Sequence, residues 1–225
     1  MVLTAQQYND DAYTIRLYHF DEGTGTTCID QHGTGNLTLD NENMRSTKFK
    51  MGVGGVKTNG AQIADNGNWT NPLSITMELW MNLDVTFNSS TAGGEHAILY
   101  GDDGANHQVM LALMGSADTG NGGKLRLRYG YMPTQTTLYS VQDSWTAGVW
   151  YHIAATGGVG GKKIYVNGVL DSSNADASRL AATPTFRVMG YGGSTIPMPA
   201  GSIDELRISS IQRRDFGNTL AGIDL

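Results

Sequence analysis

The sequence predicts an all-β fold of two antiparallel sheets packed face to face. Three observations predict it: hydrophobicity alternating with a period of two, glycine-rich turns between the alternating runs, and almost no helical pattern. Leu73, Ile75, Met77, Leu79, Met81 and Leu83 fall on one side of a segment whose other side carries Ser74, Thr76, Glu78, Trp80 and Asn82. That is a strand. Leu125, Leu127, Tyr129 and Tyr131 alternate with Lys124, Arg126 and Arg128, and Ile15, Leu17 and His19 alternate with Arg16 and Tyr18. Both read as half-buried strands with the apolar side inward. Val109 to Met114 is apolar on both faces and belongs mid-sheet. Asn167-Gly168, between Ile164-Tyr165-Val166 and Val169-Leu170, marks a hairpin whose two-residue turn needs positive φ at both positions.

Glycine supplies 30 of 225 residues and proline only 5. Ordinary usage near 7% would give about half as many glycines, so the excess is read as tight turns. They fall at Asp65-Asn66-Gly67-Asn68, Gly101-Asp102-Asp103-Gly104 and Asn121-Gly122-Gly123, where Gly, Asn and Asp tolerate positive φ. Helix is expected only as a short turn near Ser210 to Phe216, with Ser209 or Ser210 as N-cap. With no repeat, linker or low-complexity segment, residues 1–225 are expected to form one domain, core about 13–217, with short extensions at both ends.

Charge excludes several partners. The formal net charge is −6 and no stripe of Lys and Arg is present, so a nucleic-acid partner is not expected. No apolar run approaches the ~20 residues that span a bilayer, so membrane insertion is not expected either. Cys28 is the single cysteine, which rules out an internal disulfide and reads as a small buried hydrophobe. The opening Met1 to Asp10 lacks the basic head and apolar stretch of a secretory signal, which suggests folding in a cytoplasm or a signal already removed. Sequons at Asn36, Asn68 and Asn88 are about as many as chance supplies and do not establish secretion.

Four segments resemble the laminin G-like domains of the concanavalin A-like lectin and glucanase superfamily. The first is Leu17-Tyr18-His19-Phe20-Asp21-Glu22-Gly23 with Asp30 and Gly33-Thr34-Gly35-Asn36, similar to that family's opening strand and Asp-Glu-Gly turn. The second is Gly52 to Gly60 followed by the Trp80 strand, and the third is Trp150-Tyr151-His152 leading into Tyr165-Val166-Asn167-Gly168. The fourth, Gly201-Ser202-Ile203-Asp204-Glu205-Leu206-Arg207-Ile208, resembles the closing strand that pairs with the first. The resemblance implies a jelly roll, and it departs at Thr58-Asn59, where the family often has an aromatic and an Asp, and in the segment from Phe87 to Glu95.

Catalysis is not expected. Glucanases of this superfamily present Glu, Asp and Glu at alternate positions of one strand. Here Glu78 stands alone between Thr76 and Asn82, and the adjacent Asp204 and Glu205 are expected on opposite faces. Gly52 to Thr58 lacks the Gly-Lys of a phosphate loop, and the five histidines lack zinc-site spacing. Calcium is the metal the resemblance implies, because it places the Asp-Glu-Gly turn beside the closing Asp. Asp21, Asn36 and Asp204 are the candidate ligands, against the alternative that these carboxylates merely hold turn amides. A glycan site is suggested by turns dense in Asp, Asn and Gly beside aromatics: Asn68, Trp69, Asp102, Asp103, Asn106 and His107. Trp69 would be the platform under a sugar ring, against the alternative of a Trp tucked at the sheet edge, and Trp80 reads as packing.

The expected role is therefore non-catalytic: a bacteriophage virion component (tail, fibre or head-decoration protein) with a role in adhesion to glycans. The alternative is a secreted carbohydrate-binding module of a larger bacterial enzyme or adhesin. Partners would be other virion proteins or cell-surface glycans, with a homo-oligomer left open, and the location the virion or, on the alternative, the extracellular space.

Overall fold

A computed structural model provides the fold and describes residues 7–58, 63–65, 72–102, 107–131, 134, 136–179, 185–190, 196–214 and 216. The early strands are short: β1 (Thr14–Tyr18), β2 (Thr27–Cys28), β3 (Leu37–Leu39), β4 (Arg45–Ser46), β5 (Gly55–Lys57) and β6 (Ile63–Asp65). The long ones follow as β7 (Ser74–Leu83), β8 (Glu95–Asp102), β9 (His107–Met114), β10 (Leu125–Tyr131), β11 (Leu138–Tyr139) and β12 (Trp150–Gly158). β13 (Lys162–Val166), β14 (Val169–Asn174), β15 (Thr185–Val188), β16 (Ile196–Pro197) and β17 (Gly201–Ser209) complete the described set.

These strands make two sheets of a jelly-roll sandwich. Sheet A runs β14-β13-β12-β7-β17-β5-β4 with β1 on β17, and sheet B runs β11-β10-β9-β8-β15-β6-β3-β2 with β16 beside β8. The β16–β8 pair is parallel and the other described pairs are antiparallel. As the resemblance implied, the closing strand β17 pairs with β1. The Asn167-Gly168 hairpin forms with φ of 51° and 81° at its two turn residues.

The core lies between the sheets. Met77, Leu79, Met81, Ile153, Ile164, Ile203 and Ile208 of sheet A meet Ile98, Leu111, Leu125, Leu127, Tyr129, Phe186 and Val188 of sheet B in one buried cluster. Burying each such aliphatic side chain is worth about 1.5–3 kcal/mol, which is what a fold without a disulfide relies on. Packing is close: a Cβ on Gly157 would stand 2.5 Å from the Tyr129 ring across the sandwich. Cys28 is buried as a free thiol, and burial pushes its pKa up to about 12.

Three expectations about side-chain placement are corrected. In β1 it is Tyr18 that enters the main core, while Leu17 faces outward with Tyr8, Met51 and Trp80. A register shift between Thr14 and Arg16 breaks the simple alternation there. The segment after β17 makes no helical turn over Ser210–Arg214, because its groups are taken by the sheet. Thr76 Oγ1 donates to the Ile211 carbonyl and accepts from the Arg213 amide, and Ser209 Oγ accepts from Arg213 Nε instead of capping an amide. Finally, Asp204 and Glu205 do not point to opposite faces. The β17–β7 register shifts between Asp204 and Arg207, and Glu205 adopts φ 51°, so both carboxylates lie on the side away from the core while Ile203 and Leu206 stay inside it.

Candidate functional site

Three polar regions compete for the role of a site, and coverage separates them. The first is the rim holding the calcium candidates. Asp21 Oδ1 accepts the Val53 and Gly54 amides at 2.7 and 2.8 Å, and its Oδ2 accepts from Gln7 Nε2 at 2.6 Å. Gly52, at φ 64°, turns these amides inward, and a Cβ there would meet the Asp21 carboxylate at 2.2 Å. Asp204 Oδ2 accepts the Lys50 and Met51 amides at 2.6 and 2.8 Å, and its Oδ1 accepts its neighbour's amide at 2.9 Å. The Asp-Glu-Gly turn and the closing Asp thus hold one loop from two sides. Asn36 is elsewhere engaged, its Oδ1 accepting the Asp30 amide at 3.0 Å.

As placed, Asp21 and Asp204 both hold amides of the Lys50–Gly54 loop, and Asn36 holds the Asp30 amide. Among the described residues no group of three or more His, Cys, Asp or Glu side chains is arranged to hold a metal ion. Like charge is nevertheless crowded at this rim. Burial and then the neighbouring Glu205 push the Asp204 carboxyl up to about 7, against the pull of its three amide donors. His19 lies against Glu205 at 2.9 Å, and the charges of Glu205, Asp21 and Asp204 raise its pKa over the opposing effect of burial.

The second region is the outer face of sheet A, which carries Thr76, Glu78, Trp80 and Asn82 on β7 beside His152 on β12 and Arg207 on β17. Here the polar residues are sealed. Arg207 Nε donates to Glu78 Oε1 at 2.7 Å, and both side chains are at most 1% exposed. His152 sits among the rings of Tyr8, Trp80 and Phe216, with its Nε2 3.6 Å from Glu78 Oε2. Burial alone would raise the Glu78 carboxyl; the adjacent His152 and Arg207 overcome it and hold Glu78 below the usual range. Both terminal segments lie over this layer. Arg207 Nη1 donates to the Asn9 carbonyl, the Tyr8 amide donates to Glu205, and Arg213 Nη2 donates to Asp11 at 2.6 Å. Trp80 is 2% exposed and is packing, with Lys50 Nζ 4.6 Å above its ring.

The third region is the outer face of sheet B. Cross-strand register sets Arg128, Met110, Tyr100 and Arg187 in one row across β10, β9, β8 and β15. A neighbouring row holds Tyr139, Arg126, Ala112 and Ala97. Tyr100, Met110 and Ala112 make an apolar cluster separate from the core. Around it stand planar polar groups: Arg128 Nη1 donates to Gln108 Oε1 at 3.4 Å, and Arg126 Nη2 is ion-paired with Glu95 Oε2. Arg126 Nε and Glu95 Oε1 are buried with no hydrogen-bond partner among the described residues. Such groups are uncommon enough to need a reason. Tyr139, whose hydroxyl donates to Asp118 at 3.2 Å, closes one flank.

Of the glycan candidates, Asp102 and His107 lie at one end of strands β8 and β9. Asp102 ends β8 opposite Gln108, and His107 opens β9 opposite Tyr131. Asn68, Trp69, Asp103 and Asn106 lie outside the described residues. Comparison with protein families finds a match over residues 53–215, most of the chain, to a laminin G-like family of the concanavalin A-like lectin/glucanases superfamily. The chain belongs to this superfamily.

Solved structures align with nearly the whole chain. Domain 4 of an extracellular GH43 arabinanase from Geobacillus stearothermophilus, in complex with arabinotriose, aligns with TM-score 0.65 and 21% identity over 94% of this chain and 98% of that one. The receptor-binding domain of a botulinum neurotoxin C/D mosaic serotype aligns with TM-score 0.68 and 14% identity over 93% of this chain and 51% of that one. Trypanosoma rangeli sialidase aligns with TM-score 0.60 and 15% identity over 95% of this chain. The chain spans 32% of the length of that sialidase. At these identities the likeness is one of fold. Comparison with curated proteins gave no match.

On this concanavalin A-like chain, sequence reasoning missed the residues that define the third region: Glu95, Tyr100, Gln108, Arg126, Arg128 and Arg187. The alternation of Lys124, Arg126 and Arg128 did mark one basic strand face. Nothing local tied it to Arg187, which reaches the row only through β15 pairing with β8.

Proposed function

We propose that this chain is a non-catalytic glycan-binding module whose ligand lies on the outer face of sheet B. What supports this reading is the concanavalin A-like fold together with the partly exposed Arg128 and Arg187, which end one cross-strand row over the buried Tyr100–Met110–Ala112 cluster. Sugar recognition uses fixed planar groups for hydroxyls, set on rigid strands. The setting is a bacteriophage virion, as a tail, fibre or head-decoration protein; the alternative is a secreted module of a larger bacterial enzyme or adhesin. A fold held by its core, with Cys28 as its lone buried thiol, is compatible with assembly in a reducing cytoplasm. Immobilised oligosaccharides test the reading: selective binding weakened by Arg128→Ala at unchanged melting temperature is expected, and no saccharide retained at all would refute it. Co-sedimentation with purified particles separates virion from secreted module.

Calcium at the rim, with Asp21, Asn36 and Asp204 as its ligands, is a second, separate proposal, supported by the way Asp21 and Asp204 bracket one loop. Titrating chelated protein with Ca²⁺ should release heat and raise the melting temperature. A flat titration with an unchanged Tm removes the ion from the account.

A further inference from the structure

We propose that Asn167 is a site of spontaneous modification, where the Gly168 backbone nitrogen attacks the Asn167 side-chain amide and expels ammonia. The step balances within the chain. A bond forms between Gly168 N and Asn167 Cγ, the Cγ–Nδ2 bond breaks, and the Gly168 amide proton, passed through water, leaves with Nδ2 as ammonia. Water then opens the cyclic imide at either carbonyl. One opening leaves aspartate and the other isoaspartate, in which the main chain runs through the former side chain. Either product makes the chain one charge more negative than its formal −6.

Four features of the β13–β14 turn favour this chemistry. Gly168 has no Cβ to crowd the attack on Asn167. The two residues, at φ 51° and 81°, stand outside the strand ladder, Asn167 exposed and Gly168 partly so. Among the described residues neither the attacking Gly168 amide nor the departing Asn167 Nδ2 has a hydrogen-bond partner. The His152 amide donates to Asn167 Oδ1 at 2.9 Å. A fixed backbone donor on that oxygen withdraws charge from Cγ and faces the oxyanion that forms as nitrogen adds. Asn121-Gly122 provides the contrast inside the same chain. Asn121 Nδ2 donates to Asp118 Oδ1 at 3.1 Å, so its leaving group is tied. Its own amide donates to the Asp118 carbonyl, its carbonyl accepts from the Lys124 amide, and a Cβ on Gly122 would stand 3.0 Å from the Ser89 carbonyl oxygen. Asn59-Gly60 and Asn66-Gly67 lie outside the described residues.

The two products differ in consequence. The Asn167 amide donates to the His152 carbonyl at 2.8 Å while Oδ1 receives the His152 amide, a two-way clasp between the turn and β12. Aspartate keeps an acceptor for the His152 amide. Isoaspartate adds a carbon to the backbone of a turn whose length sets the hairpin register, and so breaks the clasp.

The test incubates the full chain at mildly alkaline pH, where an amide nitrogen loses its proton more readily, in native buffer and in concentrated urea. Peptide mapping by mass spectrometry follows each Asn-Gly peptide separately. In the folded protein the Asn167 peptide should gain aspartate and isoaspartate at least about five-fold faster than the Asn121 peptide, the factor that one net hydrogen bond on the leaving amide supplies. Urea should bring the two rates together. Asn167→Asp should stop further change in that peptide and keep the melting temperature, while the isoaspartate fraction melts lower. Asn167 intact in the folded protein yet reactive in urea, or Asn121 keeping pace with it, overturns the assignment. An isoaspartate fraction that melts with the parent overturns the role given to the clasp.

Discussion

The outer faces of the two sheets carry similar residue types and are covered to different extents. On sheet A, an acid, an imidazole, an indole and a guanidinium lie under both terminal segments, and their charges are spent on one another. On sheet B, Tyr100, Met110, Ala112, Gln108 and Arg126 are buried as well, and exposure is kept at Arg128 and Arg187. The difference teaches that polar alternation on a strand identifies a face turned from the core, but not a site. Whether another part of the chain covers the face decides between structural layer and binding surface.

The comparison can be broken most forcefully at Glu78. Glu78→Ala would leave Arg207 buried without its carboxylate, and loss of one partner of a buried pair costs about 3–5 kcal/mol. Urea unfolding should show that loss with saccharide binding by the residual folded protein unchanged; an abolished binding with intact stability would exchange the roles of the two faces. Tyr8→Ala should cost about 3 kcal/mol by emptying the layer beneath the N-terminal segment. Tyr8→Phe removes a hydroxyl that is buried without a partner among the described residues, so it should be neutral or slightly stabilising by the same measurement.

Acid titration sharpens the contrast further. Glu78 and Asp11 have carboxyls held below their usual values, Asp11 by Arg213 and nearby hydrogen bonds against the opposing effect of burial. A depressed folded-state pKa gives stability that is present above the unfolded value, about 4, and lost as pH falls through the folded one. The seal on sheet A should therefore weaken below about pH 4, and Glu78→Gln should flatten the acid limb of a Tm-against-pH curve. Asp204 works in the other direction. Its folded pKa is raised to about 7, so its contribution is fully present near pH 4 and lost as pH rises through 7. Asp204→Asn should reduce that decline. The smallest stability effect is expected on sheet B: Arg128→Gln and Arg187→Gln should each change stability by no more than about 0.5 kcal/mol, the range of ordinary surface substitutions.

Much of the architecture was legible in the chain because it depends on local pattern. Period-two hydrophobicity located β7 and β10, a run apolar on both faces located β9, and Asn167-Gly168 located the β13–β14 hairpin, since these are properties of a few consecutive residues. The glycan candidates Asp102 and His107 proved to be the ends of β8 and β9, near the proposed site but not at its centre. The centre was not legible, because Arg128 and Arg187 meet in one row only after three strand pairings.

By itself, then, the sequence determined an all-β concanavalin A-like sandwich, its main strands, its tightest turns and its freedom from disulfide. Tertiary structure alone decided which way the residues around two register shifts would face, putting Tyr18 into the core and Asp204 and Glu205 on the same side. It also decided that the charged face of sheet A would be covered by Tyr8, Asn9 and Asp11 from one side and Arg213 and Phe216 from the other. The physical reason is that alternation fixes the relative facing of neighbours along one strand. A bulge resets that parity, and the cover over a face comes from residues far away in the chain, which no local pattern encodes.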